Sequence, residues 1–170
     1  MTTKTLIITI LVFLVLSGLF IWGYVQNGNT PATVQGASNA GPKSTLAAPL
    51  TVYDFGTISM KNGDVSKDFI FANPSRQSII IRGLETSCMC TSAFLVKANG
   101  SSDGPFSMPG MGGRTATNET IKAGEGRTLR VVYNPNAHGP AGVGQIDRFI
   151  TITDETGGKL QFEIKALVTP

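Results

Sequence analysis

Both cysteines of this 170-residue chain lie in one pentapeptide, Ser87-Cys88-Met89-Cys90-Thr91. Two thiols separated by one residue can be buried as small apolar side chains, close a disulfide, or bind a soft metal ion together. In an extended strand, side chains two residues apart point to the same face but lie too far apart for a disulfide. A bridge between Cys88 and Cys90 therefore requires a turn or a bulge, and the sequence leaves the three alternatives open.

Three further residues could join the cysteines as metal ligands. Met108 and Met111 lie in a Gly- and Pro-rich loop, and His138 is the only histidine of the chain. Thiolate and thioether ligands together select Cu(I), and imidazole suits copper or zinc. The sequence thus predicts a candidate Cu(I) site for transport or storage at Cys88, Cys90, Met108, Met111 and His138. The alternative is that the methionines plug the space under a long loop and the histidine is an ordinary surface residue.

Other kinds of site find less support in the residues. The cysteine spacing is not that of a zinc ribbon or finger, and electron-transfer copper uses two histidines where this chain has one. The chain lacks a Gly-x-Ser-x-Gly elbow, a phosphate-binding Gly-x-x-x-x-Gly-Lys-Ser/Thr loop and a Gly-x-Gly-x-x-Gly fingerprint. We therefore expect a protein that is not an enzyme and has no small-molecule substrate. Thiol-redox activity of the cysteine pair is a weaker alternative.

The N-terminal segment predicts a membrane anchor. Residues 6–24 contain no charged side chain and thirteen Leu, Ile, Val or Phe residues, and a helix of this length spans roughly 28 Å, close to the hydrocarbon thickness of a bilayer. A cleaved signal peptide is the alternative, but the best small-x-small triplet, Ser38-Asn39-Ala40, lies far downstream. We expect a single-pass transmembrane helix within residues 1–24, with the C-terminal part on the extracytoplasmic side.

Composition then divides the remaining chain. Residues 25–48 are rich in Gly, Asn, Thr, Ser, Ala and Pro and carry one charge, Lys43, which predicts a flexible linker. Residues 49–170 have the size of one domain. Without Lys4 and Lys43 the chain has twelve basic and eleven acidic residues, a net charge of +1. Such interspersed charges exclude the basic stripe that nucleic-acid binding needs.

Hydrophobic residues of this domain alternate with a period of two, as in strands with one solvent-facing side. The predicted strands are Leu50 to Tyr53, Val65 to Ala72, Ser78 to Leu84, Ser92 to Lys97, Thr128 to Tyr133, Ile146 to Thr153 and Leu160 to Val168. About seven short strands indicate two antiparallel sheets packed face to face. The expected core consists of Phe55, Phe69, Phe71, Ile79, Ile81, Leu129, Val131, Tyr133, Ile150, Ile152, Leu160, Phe162 and Ile164.

Several short motifs carry a family resemblance. Asp54-Phe55-Gly56-Thr57-Ile58, Phe69-Ile70-Phe71-Ala72-Asn73, Ser87-Cys88-Met89-Cys90-Thr91, Ala123-Gly124-Glu125 and Tyr133-Asn134-Pro135 resemble the bacterial family called domain of unknown function 1573. That family is similar to the immunoglobulin-like sandwiches of the Hydin and major-sperm-protein group. The resemblance implies an exported or lipid-attached sandwich and no particular activity. In two places the chain departs from the pattern: Ala123 replaces a usual Pro, and the loop expected over Ala98 to Asn118 is unusually long.

Together these observations predict an all-β, immunoglobulin-like sandwich of about seven strands behind one transmembrane helix. The expected function is that of a membrane-anchored, extracytoplasmic binding module that contacts another envelope protein. Binding of Cu(I) at the cysteine pair and the methionine loop is the first alternative.

Overall fold

Residues 41–170, the part of the chain that the computed structural model describes, contain nine β-strands. The strands are β1 (Val52–Ser59), β2 (Val65–Ala72), β3 (Ile79–Thr86), β4 (Thr91–Val96), β5 (Ser102–Phe106), β6 (Ala116–Ile121), β7 (Gly126–Tyr133), β8 (Gly144–Asp154) and β9 (Lys159–Thr169). Two short 3-10 helices, Met60–Asn62 and Gly139–Gly142, follow β1 and β7. Within residues 41–170 no helix has the length and apolar character needed to span a membrane. The predicted anchor, residues 1–24, lies outside the described part of the chain.

The strands form two sheets, one in the order β1-β9-β8-β3-β6 and the other in the order β2-β7-β4-β5. Neighbouring strands are antiparallel with one exception: β1 runs parallel to β9, with Val52 opposite Glu163 and Ser59 opposite Thr169. The prediction of purely antiparallel sheets is therefore wrong at this pair. The first strand lies along the free edge of the last one and so completes the five-stranded sheet.

Six of the nine strands have the topology of an immunoglobulin-type sandwich. Without β1, β5 and β6, the sheets read β2-β7-β4 and β9-β8-β3. Lettered in chain order, these are the B-E-D and G-F-C sets of that fold. The first strand pairs with the last one and not with β2, which distinguishes this chain from the standard arrangement.

The remaining two strands form an insertion between β4 and β7. The segment from Ala98 to Asn118, expected as one long loop, contains β5 and the start of β6. β5 extends the edge of one sheet beside β4, and β6 extends the edge of the other sheet beside β3. Because an edge strand tolerates proline, Pro105 is compatible with β5. Phe106 at the end of β5 is fully buried and fixes the insertion to the core.

Aromatic rings join the two sheets. The ring centroid of Phe162 in β9 lies 5.0 Å from that of Phe69 and 6.2 Å from that of Phe71, both in β2 of the opposite sheet. All predicted core residues are buried except Phe55, which is partly buried against the core. The structure adds to the core the buried side chains Leu46, Leu84, Cys90, Ala93, Leu95, Phe106, Ile121, Ile146, Ala166 and Val168.

Residues 41–48 pack on the sandwich. Leu46 is 2% exposed, and Ala47 exchanges backbone hydrogen bonds with Ala72 of β2. The hydroxyl of Ser44 donates a 2.5 Å hydrogen bond to the buried carboxylate of Asp154 at the end of β8. The prediction of a linker that runs to residue 48 is therefore wrong for residues 41–48, because a buried leucine and a buried polar contact hold them. Residues 25–40 of that linker lie outside the described residues.

Candidate functional site

A tight turn holds the cysteine pair between β3 and β4. The N–H group of Thr91 donates to the carbonyl oxygen of Cys88 over 3.1 Å. The buried hydroxyl of Thr86 lies 3.0 Å from the same oxygen and 3.1 Å from the carbonyl oxygen of Thr91. The threonines on either side of the turn thus fix its backbone. The turn brings the two cysteine sulfurs together, whereas an extended strand would keep them apart.

In this turn Cys88 and Cys90 form a disulfide. Their Cα atoms lie 5.2 Å apart, within the range usual for bridged cysteines, and the described residues contain no free cysteine. Of the three alternatives that the sequence leaves open, the structure shows the bridge. Cys90 is 2% exposed, whereas Cys88 is only partly buried against the core.

The two sulfurs have different neighbours. The Nε–H group of Arg148 donates to Cys90 Sγ over 3.2 Å, and the hydroxyl of Thr91 lies 3.7 Å from the same sulfur. Cys88 Sγ lies 3.3 Å from Nε2 of His138 and accepts a 3.2 Å hydrogen bond from the N–H group of Cys90. The pair is therefore asymmetric: a buried sulfur beside a guanidinium, and a more accessible sulfur beside an imidazole.

The loop after β7 positions His138. The N–H group of Asn134 donates to the carbonyl oxygen of Cys90 over 2.9 Å, and this bond fixes the start of the loop to the cysteine turn. Farther along, the side-chain amide of Asn136 donates to the carbonyl oxygen of Met60 over 2.8 Å. These two bonds fix the loop just before His138, and the exposed imidazole of this predicted candidate ligand lies at the cysteine pair.

Arg148 is a site residue that sequence reasoning missed. It lies on β8, and the two hydrogen bonds between Ser87 and Phe149, both 2.9 Å long, fix the register of β8 against the cysteine turn. A further bond from Arg148 Nη1 to the carbonyl oxygen of Asp147, 2.8 Å, holds the guanidinium. Burial raises the pKa of the nearby Tyr133 phenol above its ordinary value, against the opposing effect of the positive charge of Arg148. The strand register, invisible in the sequence, brings this charge to Cys90.

The three donor atoms of Cys88, Cys90 and His138 all lie within 4.8 Å of one another. Met108 and Met111 lie in the loop between β5 and β6, whose Ser107 carbonyl oxygen accepts a 3.4 Å hydrogen bond from the N–H group of Thr86. Met111 is 56% exposed. The structure therefore clusters three of the five predicted ligands and places the methionine loop at the same end of the sandwich, outside this three-atom group.

We call this end of the sandwich the cysteine end. It consists of the loops after β1, β3, β5 and β7, which are residues 60–64, 87–90, 107–115 and 134–143. The hydrogen bonds described above connect residues 134–143 to residues 60–64 and 87–90, and residues 107–115 to the end of β3. Met89, between the two cysteines, is 52% exposed, and Val143 is 43% exposed. The cysteine end thus combines exposed apolar side chains with the disulfide and the imidazole.

Comparison with solved structures shows the fold alone. A protein of unknown function from Porphyromonas gingivalis W83 is 16% identical over 77% of this chain and 50% of its own, with a TM-score of 0.52. A family 123 glycoside hydrolase from Clostridium perfringens is 10% identical over 74% of this chain and 27% of its own, with a TM-score of 0.50. The ASH/PapD-like domain of human CEP192 is 10% identical over 75% of this chain and 87% of its own, with a TM-score of 0.46.

The chain thus spans half the length of the Porphyromonas structure and about a quarter of the hydrolase. No curated protein matches the sequence. A protein-family model described as "Protein of unknown function (DUF1573)" matches residues 46–102, about a third of the chain, including the cysteine turn. The family resemblance predicted from the sequence motifs is therefore confirmed over residues 46–102, the segment that carries both cysteines.

Proposed function

We propose that this protein is a membrane-anchored, extracytoplasmic binding module that contacts another envelope protein through the cysteine end. The observation that carries the proposal is the convergence of loops far apart in the sequence on an exposed, sulfur-rich tip. Met89 and Met111 each expose more than half of their surface there. Methionine is flexible and polarisable, and it recurs at surfaces that adapt to a protein partner.

Two features support the proposed location. The apolar segment 6–24 has the length of a membrane span. The disulfide between Cys88 and Cys90 belongs to an oxidising compartment, which for a bacterial envelope protein lies outside the cytoplasm. Both features are consistent with a domain tethered on the outer side of the membrane.

Site-specific cross-linking in intact cells tests the contact surface. A photo-reactive side chain at position 89 of the full chain is expected to give a discrete cross-linked product with an envelope protein. The matched control is position 99, because Asn99 is exposed in the loop between β4 and β5 at the opposite end of the sandwich. A product from position 99 but none from position 89 would refute the contact surface. Protease added to intact cells should digest the domain, and a protected domain would refute the location.

A second candidate function is Cu(I) binding for transport or storage, favoured by the three-atom cluster of Cys88, Cys90 and His138. After reduction of the bridge, two thiolates and an imidazole form a ligand set suited to Cu(I). Met108 and Met111 would complete it from the neighbouring loop.

Anaerobic titration of the reduced full chain with Cu(I), and separately with Zn(II), tests this candidate. Tight, stoichiometric Cu(I) binding is expected, with weaker binding after His138→Ala. Met60→Leu is a control, because it replaces a methionine of the same end that was not predicted as a ligand. Reduced protein that takes up no Cu(I) would eliminate the metal site.

A further inference from the structure

We propose that the Cys88–Cys90 disulfide exchanges with the dithiol of a partner protein, with Cys88 as the sulfur attacked and Cys90 as the sulfur that leaves. This inference deepens the proposed function, because it rests on the partner reaching the cysteine end. Two properties of the site, the access to each sulfur and the charge beside Cys90, fix the direction of the exchange, and the small ring closed by the bridge allows the domain to stay folded when the bridge opens.

The accessibility of the two sulfurs favours attack at Cys88. Thiol–disulfide exchange needs an approach by the incoming sulfur to the sulfur under attack. Cys90 is 2% exposed, and Arg148 and Thr91 lie against its sulfur. Cys88 is only partly buried and adjoins the exposed residues Met89 and His138. An incoming thiolate can therefore approach Cys88 from solvent, whereas Cys90 is closed to it.

Charge favours the departure of Cys90. The guanidinium of Arg148 keeps its positive charge at all physiological pH values. In the disulfide its Nε–H group makes a weak 3.2 Å contact with a neutral sulfur. When the bridge opens, that sulfur carries a full negative charge, and the same contact becomes a charge-assisted hydrogen bond. Because the contact is stronger to the leaving sulfur than to the disulfide, it lowers the barrier to bridge opening.

The proposed sequence of bonds is balanced. A partner thiolate attacks Cys88 Sγ, a bond forms between the two, and the Cys88–Cys90 bond breaks with its electron pair remaining on Cys90. The second thiolate of the partner then attacks the partner's own sulfur in the mixed disulfide and releases Cys88 as a thiolate. That thiolate takes a proton from solvent, beside the imidazole of His138, whose Nε2 lies 3.3 Å from Cys88 Sγ in the disulfide. The partner dithiol is oxidised to a disulfide, and the cysteine pair is reduced by two electrons.

The disulfide closes only a small ring and therefore contributes little to the stability of the fold. The two cysteines are separated by one residue, so the disulfide closes a loop of three residues. A long-range bridge would restrict the unfolded chain strongly, but one this short restricts it little. The fold therefore does not depend on the bridge, and the pair can cycle between its two oxidation states in a folded domain.

Trapping experiments on the full chain test which sulfur reacts. Cys90→Ser leaves a single thiol at position 88, and Cys88→Ser leaves one at position 90. With oxidised glutathione as the probe, the position-88 thiol is expected to form a mixed disulfide at least about tenfold faster, as mass spectrometry would show. Equal rates for the two variants, or a faster reaction at position 90, would overturn the assignment.

Charge variants test the role of Arg148. Reduction of the wild-type bridge by reduced glutathione is expected to slow at least about tenfold in Arg148→Gln. Arg148→Lys, which keeps the charge, should recover part of the rate. Arg76→Gln, an exposed arginine in the loop between β2 and β3, should react like the wild type. An unchanged rate in Arg148→Gln, with an unchanged melting temperature, would overturn the proposal.

These rates are measured with glutathione and need no partner protein, whereas the cross-linking from position 89 needs no exchange. A normal cross-linked product together with equal rates at both sulfurs would refute the exchange and leave the contact surface standing. A faster reaction at position 88 together with no cross-linked product from position 89 would refute the contact surface alone.

Discussion

Reduction of the Cys88–Cys90 bridge is expected to leave the domain folded. The bridge closes a loop of three residues, and the loop-entropy relation gives about 1.6 kcal/mol for a loop of that length, against about 3 kcal/mol for one of fifteen residues. The turn itself is retained by the bonds from Thr86 and Thr91 to the carbonyl oxygen of Cys88. The predicted loss on reduction is therefore about 1.6 kcal/mol, less than the roughly 5 to 15 kcal/mol of net stability that is usual for a domain.

Urea unfolding of the full chain, oxidised and fully reduced, measures this loss. The two curves should have equal slopes and midpoints that differ by the equivalent of about 1.6 kcal/mol. A thermal scan should show a decrease of roughly 5 °C in the melting temperature. The control is the double variant Cys88→Ala with Cys90→Ala, in which the same reductant should change nothing.

Complete unfolding on reduction, or a loss above about 4 kcal/mol, would contradict the short-loop reasoning. The disulfide would then be a structural bond that the fold requires. Both proposals that need free thiols, Cu(I) binding and disulfide exchange, would lose their physical basis, because neither can operate in an unfolded domain. The binding surface would remain, since its exposed methionines do not depend on the oxidation state.

Three further predictions concern the fold. Ser44→Ala removes a buried hydrogen bond to a carboxylate and should cost about 2 kcal/mol in urea unfolding, whereas the exposed neighbour variant Thr45→Ala should cost less than about 0.5 kcal/mol. Burial raises the pKa of Asp154, but its hydrogen bonds outweigh burial and hold the pKa below its ordinary value. Its stabilisation is thus present above about pH 4 and lost as the pH falls through the lowered value, so Asp154→Asn should reduce the difference in unfolding free energy between pH 6 and pH 3. Phe162→Ala should cost about 3 to 5 kcal/mol, against less than about 0.5 kcal/mol for the exposed Ile70→Ala, again in urea.

Sequence periodicity located strands where one face is buried without interruption. Both bounds of β2 agree with the prediction, and more and less buried residues alternate over the whole strand. β1 was predicted over Leu50 to Tyr53, but it runs from Val52 to Ser59. The pairing of β1 with β9 shifts between Asp54 and Thr57, and Gly56 there has a φ of 68°. Such a bulge breaks the period of two. The alternating sequence pattern therefore ends at the bulge, although the strand itself continues beyond it.

The strands of the insertion between β4 and β7 were not predictable from the sequence pattern, for a different reason. The segment Ser102–Phe106 contains Gly104 and Pro105, which argue against a strand in the interior of a sheet. β5 lies at an edge, and Pro105 falls in the irregular part of its pairing with β4, between the pairs Ala93 with Phe106 and Leu95 with Asp103, where a proline is tolerated. Edge position is a property of the assembled sheet, and a single sequence does not show it.

The candidate site was predictable in its residue types but not in its geometry. Two cysteines and one histidine are rare enough in this chain for composition alone to select them. Arg148 is one of many strand charges, and only the register between β8 and the cysteine turn sets it beside Cys90. The same holds for Ser44, whose role depends on a carboxylate 110 positions farther along the chain.

The methionine loop lies at the cysteine end because the insertion has two strands. β4 runs away from the cysteine turn, β5 returns, β6 runs away again, and β7 returns. The loop between β5 and β6 must therefore lie at the cysteine end, whereas a direct link from β4 to β7 would lie wholly at the opposite end. The immunoglobulin-type frame supplies the disulfide, His138 and Arg148. The inserted hairpin adds Met108 and Met111, and the exposed Met111 joins Met89 and Val143 in the apolar surface that a partner or a soft metal ion could use.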